Sequence, residues 1–226
     1  MDVPRAPHRW AVTPQQASAI QRRMAALVRQ VPLGGAPRFV AGLDAAFSRD
    51  DLRCLAAVVV WDMREQAVIE QHVAVRPLMF PYVPGLLSFR EGPAVLAALR
   101  KLRTPPDVLI YDGHGLAHPR RFGIACHVGV ILNRPTIGCA KSRLVGTHRE
   151  PGSQRGAVAP LIDDGEVIGS VLRTQDGINP VFVSVGHLIE LCAAEQIVLA
   201  CAIRYRLPEP TRLADQLVGA AKRAMG

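Results

Sequence analysis

The chain has 226 residues, of which 49% are hydrophobic and 20% charged, a composition typical of one globular domain with a full core and not of a disordered protein. The net charge of +8 favours a polyanionic partner such as nucleic acid, and a solvated basic surface without a ligand is the alternative. The five cysteines contain no C-x-x-C pair, and neither a signal peptide nor a membrane span is indicated, so we expect a cytoplasmic protein with reduced thiols and no membrane contact.

The first half of the chain predicts one helix followed by an antiparallel meander. Residues 1–13 are expected to be flexible, and Thr13 and Pro14 predict the start of an amphipathic helix that runs to residue 30. Three short segments rich in β-branched residues follow, separated by polar turns of hairpin length. We predict these strands at residues 38–47, 54–61 and 67–75.

The second half alternates strands and helices. Residues 77–85 form a proline-rich turn, and a helix is expected to start at Gly92 or Pro93. The later elements are predicted as strand 108–111, helix 123–133, strand 135–139, loop 142–164, strands 166–173 and 180–185, helix 187–206 and a last helix after Pro210, with residues 220–226 flexible. A meander that leads into α/β units predicts one α/β domain, a mixed five-stranded sheet flanked by helices.

Four carboxylates stand out as candidate metal ligands. Asp44 lies in the middle of a strand, where an ionised group is costly without a partner, and Asp112 ends a buried strand, where α/β sheets bind ligands. Glu91 lies beside the N-terminus of a predicted helix and Asp215 within the last helix, and Asp215 has the least weight because helix carboxylates are usually solvated. Converging carboxylates suit Mg²⁺ or Mn²⁺ and phosphodiester chemistry. Turn formation by Asp112 and a capping box from Ser88 to Glu91 are the structural alternatives.

Basic residues near these carboxylates are candidates for phosphate contacts. Lys141 follows a predicted strand, so it can project from the same sheet edge as Asp112, although it could equally be a surface lysine. His118, Arg120 and Arg121 come shortly after Asp112 and could contact phosphate, while His118 could equally be a buried hydrogen-bonding residue. The sequence has no zinc-ligand cluster and no glycine-rich nucleotide loop, so no nucleotide cofactor is expected.

The chain contains five motifs in sequence order, namely V40-A-G-L-D-A-A-F47, P81-Y-V-P-G-L-L-S-F-R-E91, D107-V-L-I-Y-D-G-H-G-L-A-H-P-R-R-F-G123, G138-C-A-K-S142 and V183-S-V-G-H187. Together they resemble the endonuclease V family of deaminated-base repair nucleases. The resemblance implies a ribonuclease-H-like fold. It also implies Mg²⁺-dependent hydrolysis, with Mn²⁺ as a possible substitute, of DNA that contains deoxyinosine. The cut lies one nucleotide beyond the lesion on its 3′ side and leaves 3′-hydroxyl and 5′-phosphate ends.

The same resemblance implies roles for individual residues. Asp44, Glu91 and Asp112 match the metal carboxylates, and Asp215 matches a less uniform fourth position. Lys141 and His118 match residues near the scissile phosphate, and Tyr82, between Pro81 and Pro84, matches the wedge that fills the gap left by a flipped base. For the base pocket, where backbone groups can test the pairing edge of hypoxanthine, we expect Gly85, Leu87, Gly113, Ile124 and Leu144.

Two other functions stay open at this level. A nuclease acting mainly on inosine-containing single-stranded RNA has the same motifs, and a non-catalytic nucleic-acid-binding module would keep the basic surface but lose a carboxylate. We expect a monomer. The sequence alone does not fix the range of lesions, the number of metal ions bound at once, the repair partners or whether Asp215 ligates metal directly.

Overall fold

A computed structural model describes residues 1–225. Gly226, the last residue of the segment 220–226 that was predicted to be flexible, lies outside the described residues. The strands form one eight-stranded sheet with the order β3-β2-β1-β4-β5-β8-β7-β6, in which β1, β4 and β5 are parallel neighbours and the other pairs are antiparallel. The strands are β1 Phe39–Phe47, β2 Arg53–Asp62, β3 Ala67–Pro77, β4 Val108–Tyr111, β5 Thr136–Ala140, β6 Val158–Asp163, β7 Glu166–Leu172 and β8 Val181–His187.

Five helices cover the two faces of this sheet. They are α1 Pro14–Ala25, α2 Leu87–Leu99, α3 Ile124–Leu132, α4 Leu191–Cys201 and α5 Glu209–Ala224. One core cluster joins α2 and α3 to side chains such as Leu43 and Leu109, and separate clusters pack α4 and α5 on the opposite face. Within residues 1–225, the helices are too short or too polar to cross a bilayer.

The predicted meander and α/β units are present, β7 and β8 correspond to the predicted strands 166–173 and 180–185, and β6 was not predicted. Strands β3-β2-β1-β4-β5 are the expected mixed sheet, and the antiparallel strands β8, β7 and β6 lengthen it on one side. The prediction that residues 142–164 form a loop is wrong for β6. Pro160 hides this strand in the sequence because proline cannot donate to a ladder, but β6 lies at the sheet edge, where such a residue is tolerated.

Several predicted helix boundaries were also wrong. α1 ends at Ala25 instead of residue 30, and its buried side chains are Ala17, Gln21 and Met24. α2 begins five residues before Gly92, with Pro93 inside it, so the missing proline N–H falls within the helix instead of marking its start.

The predicted helix 187–206 also differs from the structure. Residue 187 ends β8 and Leu188 adopts a left-handed φ of 51°, so α4 starts only at Leu191 and ends at Cys201. The cysteines are free thiols, and all are buried except Cys192.

Residues 1–13 form neither a helix nor a strand, but several of them pack on the domain. The ring of His8 lies 4.8 Å from that of His127 and 4.6 Å from that of Trp10, between ring centroids. Trp10 in turn covers Gly92 of α2, where an added Cβ would lie 2.5 Å from the indole. The predicted flexibility of residues 1–13 stays a prediction.

Candidate active site

Three carboxylates from distant parts of the chain converge at one edge of the parallel strands. Asp44, Asp112 and Asp215 each offer a carboxylate oxygen, and these oxygens lie within 4.8 Å of one another. Asp44 belongs to β1, Asp112 directly follows β4, and Asp215 belongs to α5. Asp215, which had the least weight in the sequence, is therefore a full member of the cluster.

Strand register explains why Asp44 and Asp112 meet. In the parallel pair β1 and β4, Leu43 lies opposite Tyr111, so the next residues, Asp44 and Asp112, are also neighbours. Because side chains alternate along a strand, Asp44 shares its face with Gly42. That face receives α5, which approaches so closely that a Cβ on Gly42 would lie 2.0 Å from the backbone of Pro210. This close approach brings Asp215 to the pair.

The crowding of like charges is visible in the electrostatics of the cluster. Burial and the neighbouring Asp112 raise the pKa of Asp44 to about 8. The ammonium of Lys141 lies 2.6 Å from Asp112 and 3.8 Å from Asp215. Although burial lowers the pKa of Lys141, the hydrogen bond and charge of Asp112 raise it, so the lysine stays protonated and partly compensates the carboxylates.

Glu91 lies outside this three-carboxylate group. It belongs to α2, which packs on the other face of the sheet, and its Oε2 accepts a 2.5 Å hydrogen bond from the Tyr111 hydroxyl. Burial raises the pKa of Glu91 to about 7, although the Tyr111 hydrogen bond lowers it, and the charge of Asp112 is close enough to raise it further. The alternative of a capping box is wrong, because α2 has Leu86 at its N-cap and no side-chain cap.

The donor set fits a hard divalent cation. Mg²⁺ and Mn²⁺ prefer carboxylate oxygens, and Asp44, Asp112 and Asp215 supply three within reach of one position. A cation there would relieve the repulsion that raises the pKa of Asp44. The cluster is therefore a possible metal-binding site.

A mostly apolar cavity of about 190 Å³ lies beside the loop that follows β4. All five residues predicted for a base pocket line it, namely Gly85, Leu87, Gly113, Ile124 and Leu144. Gly113 follows Asp112 directly, so the cavity and the cluster share one loop. Since a cavity of about 150 Å³ accommodates benzene, this space is of the size needed for a flat purine base that enters from the open side.

Two helices begin at this cavity. Its lining includes Leu87 and Ser88, the first residues of α2, together with Gly123 and Ile124, the N-cap and first residue of α3. Neither helix has a side-chain N-cap within residues 1–225. The N–H groups of Phe89 and Ala125 already bond to protein carbonyls, while the other first-turn N–H groups and the positive end of each helix dipole favour hydrogen-bond acceptors.

The segment between β3 and α2 carries Tyr82 at the cavity mouth, with 72% of its surface exposed. Pro84 lines the cavity beside it, and Pro81 is exposed. The C-terminal end of this segment is held in place through the carbonyl oxygen of Gly85, which accepts hydrogen bonds from three side chains. The donors are His118 Nε2 at 2.9 Å, Arg120 Nη2 at 2.7 Å and Gln21 Nε2 at 3.0 Å.

The placement of His118 assigns it to this network and not to the carboxylates. Its Nδ1 accepts from the Arg120 backbone N–H at 3.1 Å, so the ring proton is on Nε2 and is donated to Gly85. Burial lowers the pKa of His118 to about 4, so the ring is neutral at pH 7. Contact of His118 with a phosphate stays a prediction.

Arg120 and Arg121 are both engaged by protein groups. Arg120 Nε donates to Gln21 Oε1 at 2.6 Å in addition to its bond with Gly85. Arg121 forms ion pairs with Asp163 and Glu166 at 2.8 and 2.9 Å, which tie the β6–β7 hairpin to the cavity loop. Direct DNA contact by either arginine stays a prediction.

Sequence reasoning missed Gln21 and the Tyr111 hydroxyl, and it considered His127 only as a phosphate contact or a buried hydrogen-bonding residue. Gln21 is a polar residue on the buried face of a predicted helix, and a buried Tyr111 hydroxyl needs a hydrogen-bond partner, so both had a weak signal. Ser88 was considered only as a cap.

The comparison with known proteins gives a consistent result. The family model described as Endonuclease V matches residues 22–216. An endonuclease V from Roseiflexus castenholzii is 54% identical over 214 residues, which cover 95% of this chain and 96% of the relative. An endonuclease V from Myxococcus xanthus is 49% identical over 219 residues, 96% of this chain and 93% of the relative.

Solved structures give the same picture. The endonuclease V of Streptomyces avermitilis superposes with a TM-score of 0.92 at 43% identity and covers 100% of both chains. The Ciona intestinalis endonuclease V, solved with a 23mer DNA that contains an inosine followed by a ribo-adenosine, has a TM-score of 0.84 at 25% identity and covers 95% of this chain and 100% of its own. The ribonuclease-H-like fold expected from the sequence is confirmed by these structures.

Proposed function

Because this chain belongs to the endonuclease V family, a family of nucleases, we propose that it is a Mg²⁺-dependent DNA repair endonuclease that acts on deoxyinosine. It hydrolyses the phosphodiester one nucleotide beyond the lesion on its 3′ side and leaves 3′-hydroxyl and 5′-phosphate ends. The observation that carries the proposal is the single loop from Asp112 to Gly113, which joins the carboxylate cluster to a cavity of base size.

The proposed metal ligands are Asp44 and Asp112, with Asp215 completing the set. Glu91 stays in the proposal as a fourth carboxylate within electrostatic reach of Asp112. A bound Mg²⁺, or Mn²⁺ in its place, supplies Lewis-acid activation of water and of the phosphate. The protonated Lys141 compensates the negative charge of the phosphate that approaches the carboxylates. The oxygen of water forms a bond to phosphorus, the bond between phosphorus and the 3′-oxygen breaks, and that oxygen leaves as a hydroxyl.

The cavity supports selection of hypoxanthine over adenine. Hypoxanthine carries a 6-oxo group and N7, both hydrogen-bond acceptors, whereas adenine carries an amino donor at position 6. The first turns of α2 and α3 offer N–H groups, so they match the oxo group and oppose the amino group. Unpairing an inosine is also easier than unpairing a matched base, which lowers the cost of flipping it into the cavity.

We propose that Tyr82 acts as the wedge that replaces the flipped base in the stack. Its ring is exposed beside the cavity mouth, and an aromatic ring inserted between bases offsets part of the unstacking cost. Pro81 and Pro84 stiffen the segment on both sides, and the net charge of +8 favours approach to DNA. A monomeric protein in the cytoplasm is part of the same proposal.

Inosine-containing RNA is the second candidate substrate, because neither the cavity nor the carboxylates distinguish ribose from deoxyribose by a described contact. A purely binding module is less favoured, since all four candidate carboxylates are present.

A nicking assay on an end-labelled duplex with one inosine tests the function. We expect one cut at the second phosphodiester 3′ to the lesion with Mg²⁺, no cut after chelation, and a nick that DNA ligase can reseal. Matched single-stranded DNA and RNA, each with one inosine, give the relative rates. Retained lesion binding without cleavage under any divalent ion would instead support the binding module.

A further inference from the structure

A chain of three side chains leads from the protein surface to the lining of the cavity. Ser88, which is 2% exposed, belongs to the cavity lining, and its Oγ lies 2.9 Å from Nδ1 of the buried His127. His127 Nε2 lies 2.7 Å from Nε2 of His8 in the N-terminal segment. The other nitrogen of His8, Nδ1, lies 2.9 Å from the backbone carbonyl of Arg9.

The direction of every hydrogen bond in this chain follows from its last member. A carbonyl oxygen only accepts, so His8 Nδ1 carries a proton and, in the neutral ring, His8 Nε2 is an acceptor. His127 Nε2 must then be the donor, which leaves His127 Nδ1 as an acceptor. The hydroxyl of Ser88 therefore donates its one proton to His127.

This direction fixes what Ser88 can offer to a ligand. With its proton engaged, the hydroxyl retains only oxygen lone pairs, and within residues 1–225 its oxygen has no hydrogen-bond partner other than His127. Ser88 is thus an acceptor in the first turn of α2, beside the backbone N–H groups that favour acceptor atoms of the base. The cavity carries both polarities in adjacent positions.

We propose that Ser88 accepts a hydrogen bond from the N1–H of the base and that His127 and His8 are positioning residues that hold Ser88 in its acceptor state. This inference rests on the proposed function and names the group that tests the pairing edge of the base. Hypoxanthine carries an N1–H donor next to its 6-oxo acceptor. The Ser88 acceptor and the helix N–H donors complement these two groups. Adenine has an acceptor at N1, so its lone pair would face that of Ser88.

The test compares two lesions in the same duplex. One oligonucleotide carries deoxyinosine and the other carries deoxynebularine, the purine nucleoside that lacks both the 6-oxo group and N1–H. The measured quantity is the ratio of the two dissociation constants with Ca²⁺ in place of Mg²⁺, together with the ratio of single-turnover nicking rates. For Ser88→Ala we expect the preference for inosine to fall about tenfold, because inosine loses the acceptor for its N1–H and nebularine loses the lone-pair repulsion at N1.

Two variants of His8 test the role of the histidines without changing a residue of the cavity lining. His8 is half-buried in a segment without regular structure, so the fold should tolerate its replacement. His8→Phe removes the acceptor for His127, which frees the imidazole to change tautomer and Ser88 to turn its proton toward the base. The inosine preference should then fall severalfold, whereas His8→Gln, which keeps an acceptor oxygen, should retain it.

The outcomes separate this inference from the proposed function. If the wild-type chain neither nicks nor prefers inosine DNA, the proposed function fails. If the wild type prefers inosine but Ser88→Ala weakens inosine and nebularine equally, Ser88 is structural and the inference is overturned. Equal inosine preference in His8→Phe and His8→Gln would likewise overturn the positioning role.

Discussion

Lys141 and Asp112 form a salt bridge with 2.6 Å between Nζ and Oδ2, in the space where three carboxylates converge. The lysine is therefore the only described cation within salt-bridge distance of the cluster in residues 1–225. Its position allows it to compensate the carboxylates in the free protein and to neutralise phosphate when DNA is bound.

Replacement of this lysine should separate catalysis from binding. For Lys141→Met we expect nicking of inosine DNA to slow by on the order of 100-fold, because a charge that stabilises the phosphate is lost, while lesion binding persists. Single-turnover rates and dissociation constants check this. Lys222→Met, in the last turn of α5, is the matched control, and equal rates for the two variants would contradict a role for Lys141.

The pKa of Asp44 predicts how stability depends on pH without divalent ions. The pKa is raised from 3.8 to about 8 in the folded chain, so the folded state holds a proton that the unfolded chain releases. The resulting stabilisation is complete below the unfolded pKa and is lost as the pH rises through the folded value.

Asp44→Asn removes this titration and should unfold at a higher temperature than the wild type at pH 8, by roughly 5 °C, with a smaller difference at pH 5. Mg²⁺ should raise the wild-type melting temperature at pH 8 and have little effect on the variant. Thermal unfolding at the two pH values, with and without Mg²⁺, checks both statements. A pH-independent difference would show that Asp44 is not perturbed in this way.

Tyr82 should matter for lesion recognition and not for folding. Since stacking of an aromatic ring on a base contributes about 1–3 kcal/mol, Tyr82→Ala should weaken inosine-DNA binding by roughly 10-fold or more. Its high exposure predicts a change in unfolding free energy of less than about 0.5 kcal/mol. Tyr82→Phe keeps the ring and serves as the control; if both variants bind alike, the ring is not a wedge.

Gln21 should affect both stability and recognition, because its amide joins α1 to Gly85, Phe122 and Arg120. Gln21→Leu leaves buried polar groups without partners, which costs about 1–3 kcal/mol, and loosens the segment that carries Tyr82. We expect a lower melting temperature and a reduced preference for inosine over undamaged DNA. Gln15 is exposed in the first turn of α1, so Gln15→Leu should change neither the melting temperature nor the preference for inosine.

The sequence predicted the meander, the α/β units and the strand-tip position of Asp112 because hydrophobic runs and turn residues report local structure directly. It could not predict that Asp215 joins the cluster and Glu91 lies apart, since that depends on which sheet face each helix covers. α5 packs on the face of Asp44 and α2 on the opposite face, where Glu91 meets Tyr111. Such choices arise from tertiary packing and leave no periodic signal.

Two features could not be predicted from the sequence, for different reasons: the edge strand β6 and the hydrogen-bonded chain of His8, His127 and Ser88. β6 contains a proline that opposes a strand assignment, and only its edge position allows it. The histidines are 119 residues apart, and each alone is compatible with an ordinary buried imidazole. The cavity residues were predicted through family motifs, not through any local pattern.

The contact between Gly42 and Pro210 means that the geometry of the acidic cluster depends on a residue without a side chain. A Cβ at position 42 would lie 2.0 Å from the Pro210 backbone, so a larger residue there requires α5 to shift away from the sheet, and Asp215 shifts with it. The residue at position 42 therefore influences, through α5, how many carboxylates a cation can reach and which ionic radius fits between them. It does so without contributing a ligand to the cluster.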